Sequence, residues 1–157
     1  MSMTSAGQIV AQGPLPYFVV IDRALRDEGT SYHYLPPADF SEADATLADC
    51  AMTALAERRL QIYRGAAWTT DAPFRETAAA IEQCRERGIL AVEMEAAALY
   101  AFAQARGKSV LCLAHVTNQM AVGDGDFEKG EADGVHASLS VISAVAHAWR
   151  RLKSAPA

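Results

Sequence analysis

The chain has 157 residues, 51% hydrophobic and 21% charged, with a formal net charge of −5. That suits one domain with its own core, of about 100–150 residues, and excludes a disordered chain. The acidic balance, with no basic cluster and no aromatic–basic interleaving, argues against nucleic acid as a partner. No apolar run approaches the roughly 20 residues that span a bilayer, so no membrane association is expected.

Residues 1–16 are small and polar, with Gly7, Gly13, Pro14 and Pro16, and read as a flexible segment or loop. They also lack a basic stretch followed by an apolar core, so no secretory signal is expected. Residues 17–21, Tyr-Phe-Val-Val-Ile, form a continuous apolar run of the kind buried on both faces of a sheet. Residues 23–34 are mixed, and Pro36-Pro37 punctuates. Ser41, with Asp44 three residues on, predicts an N-cap for a helix reaching about Glu57. Residues 60–68 predict a strand, 69–73 a turn, and 74–87 a helix stopped by Gly88. A short strand over 89–92 leads into a helix over about 95–106, stopped by Gly107. Residues 109–116 predict a second buried strand, and 118–134 a glycine-rich acidic loop. Residues 136–153 close the chain as an amphipathic helix, with Leu139, Ile142, Val145, Ala146, Trp149 and Leu152 in helical period. Alternating strands and helices predict an α/β fold with a largely parallel sheet, although four candidate strands make that sheet thin.

Chemistry concentrates where the strand over 89–92 meets its helix. Glu93, Met94 and Glu95 lie at that junction, and ligands of layered α/β folds bind at the carboxyl ends of strands. A buried carboxylate is costly unless paired or hydrogen-bonded, so two of them flanking a thioether mark a candidate site. A helix-initiating acidic pair favoured by the helix dipole is the plainer reading of the same letters.

Val92-Glu93-Met94-Glu95-Ala96-Ala97 resembles the ribose-binding motif of the nucleoside phosphorylases, the purine nucleoside and uridine phosphorylase family. The resemblance implies a phosphorylase-like α/β sheet flanked by helices. It also implies phosphate-dependent cleavage of a nucleoside's N-glycosidic bond, giving a free base and ribose 1-phosphate. Phosphate would be a co-substrate, and no cofactor or metal is implied. Glu95 and Asn118 are the implied catalytic residues. Glu93, Met94 and Glu95 would hold the ribose. Phe74, Val92, Thr117 and Asn118 would hold the base, with Asn118 donating an amide hydrogen to a ring nitrogen. Arg26 to Tyr34 and Trp68 to Thr77 resemble further segments of the family. The glutamine and arginine with which uridine phosphorylases read uracil fall near Thr77 and Ala79, so that reader is missing.

Thr4-Ser5-Ala6-Gly7-Gln8-Ile9 resembles the family's phosphate loop, with Ser5 as the phosphate-contacting hydroxyl. An arginine three residues before that serine in the family is Ser2 here, and Gln8 replaces a small residue. The resemblance covers residues 4–153 but only about the last two thirds of the family's domain. The expected fold therefore lacks the family's N-terminal strands, a single truncated domain over residues 1–157. Two alternatives follow: a catalytically impaired remnant that binds nucleosides or serves an oligomer, and a hydrolytic nucleosidase. A sheet short of strands predicts an exposed edge covered by a second copy, hence a homo-oligomer.

The remaining polar groups read plainly. Cys50, Cys84 and Cys112 are widely spaced, which fits reduced thiols in a cytoplasmic protein. Asp124, Asp126 and Glu128 miss the register of a calcium loop. His33, His115, His136 and His147 lack metal-ligand spacing, and His33 is a candidate neighbour of the sugar.

Overall fold

The computed structural model describes residues 1–120 and 130–154. The apolar run at 17–21 begins strand β2 (Tyr17–Asp27), whose residues from Tyr17 to Ile21 are all buried. That burial requires partners on both sides. The first half of β2 lies between β4 (Ile62–Thr70) and β6 (Cys112–Asn118), and its second half between β4 and β3 (Phe40–Glu42). A register shift between Ile21 and Arg23 marks the point of change. An extra residue there bends the strand away from one partner and toward the next.

Residues 1–16 do not form a flexible segment. Ser2–Gln8 is strand β1, inserted between β5 (Ala91–Glu93) and β6. Small side chains let it fit: Thr4, Ala6 and Gly7 are buried. The sheet order is β3-β2-β4-β5-β1-β6, and β6 pairs again with β2. The pairing of β2, β4, β5, β1 and β6 thus closes on itself, with β3 as an appendage. The sheet is mixed rather than largely parallel. β2, β4 and β5 run together, while β1 and β6 run parallel to each other and antiparallel to β5 and β2 respectively. Among the described residues the sheet ends in the three-residue β3, which pairs with β2 alone.

Helices cover the sheet on several sides. Helices α1 (Ala45–Leu55) and α4 (Val135–Ser154) pack Leu47, Ala51, Leu55, Val141 and Val145 against Phe18, Val20, Leu111 and Leu113. Helix α2 (Ala78–Glu86) places Cys84 with Ile9, Trp68, Ile89 and Val92. Helix α3 (Ala96–Ala105) buries Ala96, Ala97 and Tyr100 among Tyr17, Val19, Ile21 and Val116.

Two helix starts differ from expectation. Asp44, not Ser41, caps α1 by accepting from Leu47 N–H, while Ser41 lies in β3 and donates to Ala97 O at 2.8 Å. Helix α2 starts after Thr77, which accepts from Ala80 N–H; Phe74 precedes it in a short turn, Pro73–Arg75. Among the described residues, no helix is long and apolar enough to cross a membrane.

Tyr100 ties α3 to the point where β2 parts from β6. Its hydroxyl donates to Ile21 O at 2.6 Å and accepts from Cys112 N–H at 2.9 Å, standing between the last two paired residues of that ladder. Burial pushes its pKa well up, so it stays protonated. Tyr100→Phe leaves a buried N–H and C=O without their partner. Urea unfolding should register a loss of about 1–3 kcal/mol; an unchanged midpoint contradicts the bridging role.

Candidate functional site

The site grows from the end of β5. A strand that stops three residues in and turns directly into a helix leaves the helix's first amide groups without partners. Glu95 stands at the N-cap of α3, yet its own side chain makes no capping bond. Glu93 supplies it instead. Its carboxylate accepts from Glu95 N–H at 2.7 Å and from Ala96 N–H at 2.9 Å. A third donor is the Thr69 hydroxyl at the end of β4, and Thr69 Oγ1 accepts from Ala97 N–H at 3.0 Å. Residue Thr69 pairs with Glu93 in the parallel register, so the two side chains share a face of the sheet.

Glu93 is thus 3% exposed and occupied by protein donors, whereas Met94 is 53% exposed and Glu95 is also exposed. The two glutamates, alike in sequence, have different work. Glu93 fixes the backbone of the turn, and Glu95 presents its carboxylate outward. Ser2 Oγ donates to Glu95 Oε2 at 2.8 Å, so the carboxylate already holds one hydroxyl.

β1 connects this end to the others. Moving along it from Ser2, Ser5 is exposed and its hydroxyl lies 3.3 Å from that of Thr117, which is buried at the end of β6. Gly7 follows, paired with Val92 on one side and Asn118 on the other. A Cβ on Gly7 would crowd Asn118 Oδ1 at 3.1 Å and Val92 Cγ1 at 3.3 Å, and would collide with Met120 Sδ. A glycine here lets these three side chains converge as they do; a larger residue would displace the Met120 thioether. The spacing from Ser2 to Gly7 is about 16 Å at the usual rise per strand residue. Along that length the strand carries Glu95 at one end, the Ser5–Thr117 hydroxyls in the middle and Asn118 at the other end.

Phe74 joins this row less directly. It is 99% exposed on the Pro73–Arg75 turn, which follows β4 at the end that carries Thr69. The segment from Arg26 to Tyr34 is a structural strap. Arg26 is buried and donates to Ser31 Oγ at 2.8 Å, Pro36 O at 2.7 Å and Leu35 O at 3.2 Å, with the Tyr32 ring beneath it. His33 is exposed on that strap. Asp124, Asp126 and Glu128 lie outside the described residues. Among those described, no group of three or more His, Cys, Asp or Glu is placed to hold a metal. Hollows of about 200 Å³ beside Asp22 and Arg64, and about 640 Å³ between α1 and α4, are lined by other residues.

A family model described as the phosphorylase superfamily matches residues 1–148. The chain belongs to the phosphorylase superfamily. Its fold is similar to that of AMP nucleosidase from Bacteroides thetaiotaomicron, with a TM-score of 0.78 and 19% identity, over 95% of this chain and 62% of that one. It is also similar to uridine phosphorylase from Vibrio fischeri, with a TM-score of 0.69 and 23% identity, over 92% of this chain and 55% of that one. The chain therefore spans less than two thirds of the length of either enzyme. At these identities the likeness concerns the fold, here a mixed α/β sheet flanked by helices.

Sequence reading missed Thr69, Ser2 and Met120. Thr69 had one signal, its place at the end of a strand next to the strand carrying Glu93. The other two are brought in by β1, which was not expected to be a strand.

Burial pushes the Glu93 carboxyl above its ordinary value of 4.5, outweighing the lowering from Thr69 and the two amides. A raised carboxyl pKa means the folded state binds the proton more tightly than the unfolded state. Its contribution to stability is then full below pH 4.5 and falls as pH rises through the folded pKa. The stability difference between the unaltered protein and Glu93→Gln should shrink from acid to neutral pH in urea titrations. A difference that grows with pH contradicts this.

Proposed function

We propose that this chain carries a nucleoside-cleaving site, with the N-glycosidic bond broken and phosphate as the acceptor. The observation that supports this best is the order of groups along β1, with an outward carboxylate, then paired hydroxyls, then an amide. Cleavage builds positive charge on the sugar's anomeric carbon and negative charge on the departing base. Groups aimed at those charges lower the barrier.

Glu95 accepts from the 2′- and 3′-hydroxyls and places its negative charge near the developing oxocarbenium ion. The bond it accepts from Ser2 is the kind a sugar hydroxyl would make. Met94 offers a polarisable contact to the sugar face. Glu93 touches no substrate in this assignment. It holds the backbone of Glu95 through Thr69 and the α3 amides, and so is a positioning residue. Asn118 donates an amide hydrogen to the base as charge grows there. Val92 lies across Gly7 from Asn118 at that end, Thr117 precedes Asn118 on β6, and Phe74 supplies an exposed ring for stacking. Ser5 Oγ offers a hydroxyl to phosphate beneath the sugar.

The relatives in fold include both a phosphorylase and a nucleosidase, so water is the competing acceptor. One assay separates the two. Release of free base from uridine, inosine and adenosine is measured with and without inorganic phosphate. Phosphate-dependent release is expected, reduced about 100-fold or more by Glu95→Ala. Release that ignores phosphate assigns hydrolysis instead. Full activity in Glu95→Ala overturns the site.

A further inference from the structure

Glu95 is fixed at its backbone and, at its side chain, owes nothing to the helix it precedes. Its N–H donates to Glu93 Oε2 at 2.7 Å, and the next amide, of Ala96, donates to the same oxygen at 2.9 Å. The Glu95 side chain makes no capping bond to α3 and is exposed. A long exposed side chain samples several rotamers, and a role that needs one of them carries an entropic cost. One group on the page acts against that cost. Ser2 Oγ donates to Glu95 Oε2 at 2.8 Å, and among the described residues no other side chain bonds that carboxylate. Ser2 belongs to the sheet, not to α3. It opens β1, where its N–H donates to Leu111 O at 3.0 Å and its backbone pairs with Cys112 on β6. The hydroxyl is half-buried and hangs from that strand by a single torsion, so the mobile carboxylate is held by a short arm on a fixed support.

We propose that Ser2 is a positioning residue for Glu95: its hydroxyl stays on Oε2 while the sugar binds and holds the carboxylate in the rotamer that accepts the sugar hydroxyls. The inference rests on the nucleoside reading, and Ser2 touches no substrate in it. Sharing is possible because two carboxylate oxygens offer about four lone-pair sites, of which one hydroxyl donor uses one. The 2′- and 3′-hydroxyls can then be accepted with Ser2 in place. A serine is also neutral, so it orients the carboxylate without offsetting the negative charge that faces the oxocarbenium ion. The opposite arrangement, in which the sugar displaces Ser2, makes the serine a competitor and its removal a gain.

The test is kcat/KM for release of base from uridine and inosine, with inorganic phosphate present, in the whole chain and in four variants: Ser2→Ala, Ser2→Thr, Glu95→Ala and the double variant of Ser2→Ala with Glu95→Ala. Ser2→Ala should lower kcat/KM about fivefold, the scale of setting one side chain's rotamers free. Ser2→Thr keeps the hydroxyl and should restore the rate. In the Glu95→Ala background, Ser2→Ala should cost nothing more, because the carboxylate it positions is gone. Unchanged or raised kcat/KM in Ser2→Ala overturns the inference. An equal loss from Ser2→Ala in the Glu95→Ala background also overturns it, since Ser2 then serves only the fold of β1. In both cases the nucleoside site stands so long as Glu95→Ala is itself impaired. Full activity in Glu95→Ala, or no release of base by the unaltered chain, is a failure of the nucleoside reading, and the inference fails with it.

Discussion

The carboxylate of Glu93 is the interaction on which the rest of the site depends. It gathers the Thr69 hydroxyl from β4 and two amides from the start of α3 onto one buried group. A charge so placed is favoured by the helix dipole and by three hydrogen bonds, and opposed by burial. Its effect is geometric. Because Glu93 faces inward and is held from three directions, the next residues of the turn have nowhere to go but outward. Met94 and Glu95 are exposed for that reason, and Glu95 is the carboxylate presented to solvent.

The second constraint is the closeness of β1 to its neighbours. A strand of small residues can be threaded between β5 and β6, and doing so closes the sheet. It also puts Ser2 beside Glu95, Ser5 beside Thr117, and Gly7 beneath Asn118 and Met120. Groups from β5, β6 and the turn before α3 each meet β1, which lies between them. The same strand thus completes the core, through Ala6, and lays out the site, through Ser5 and Gly7.

Much of this was legible from residue patterns, and the failures have physical causes. The runs at 17–21 and 109–116 announce buried strands because burial on both faces favours apolar side chains at most positions. The junction at 92–96 stands out as a candidate, since glutamates flanking a thioether are out of place in a plain strand end. β1 was hidden because Thr-Ser-Ala-Gly-Gln carries almost no apolar signal; its burial comes from closure with strands more than 80 residues away, which no local window contains. Glu93 and Glu95 could not be told apart by letter, since only the contact with Thr69 assigns one inward. The expected parallel sheet failed because β6 returns to pair with β2, which reverses the direction of one side of the circuit. Phe74 was expected at a helix start, but Pro73 places it in a separate turn, and it stays in solvent.

The central claim is that one nucleoside lies along β1, with its sugar at Glu95 and its base at Asn118. A crystal of this chain soaked with uridine tests it most directly. Density should place the 2′- and 3′-hydroxyls within about 3 Å of the Glu95 carboxylate, the ordinary hydrogen-bond distance, with the base against Asn118. A nucleoside bound in the hollow between α1 and α4, with Glu95 still joined only to Ser2, would contradict the account.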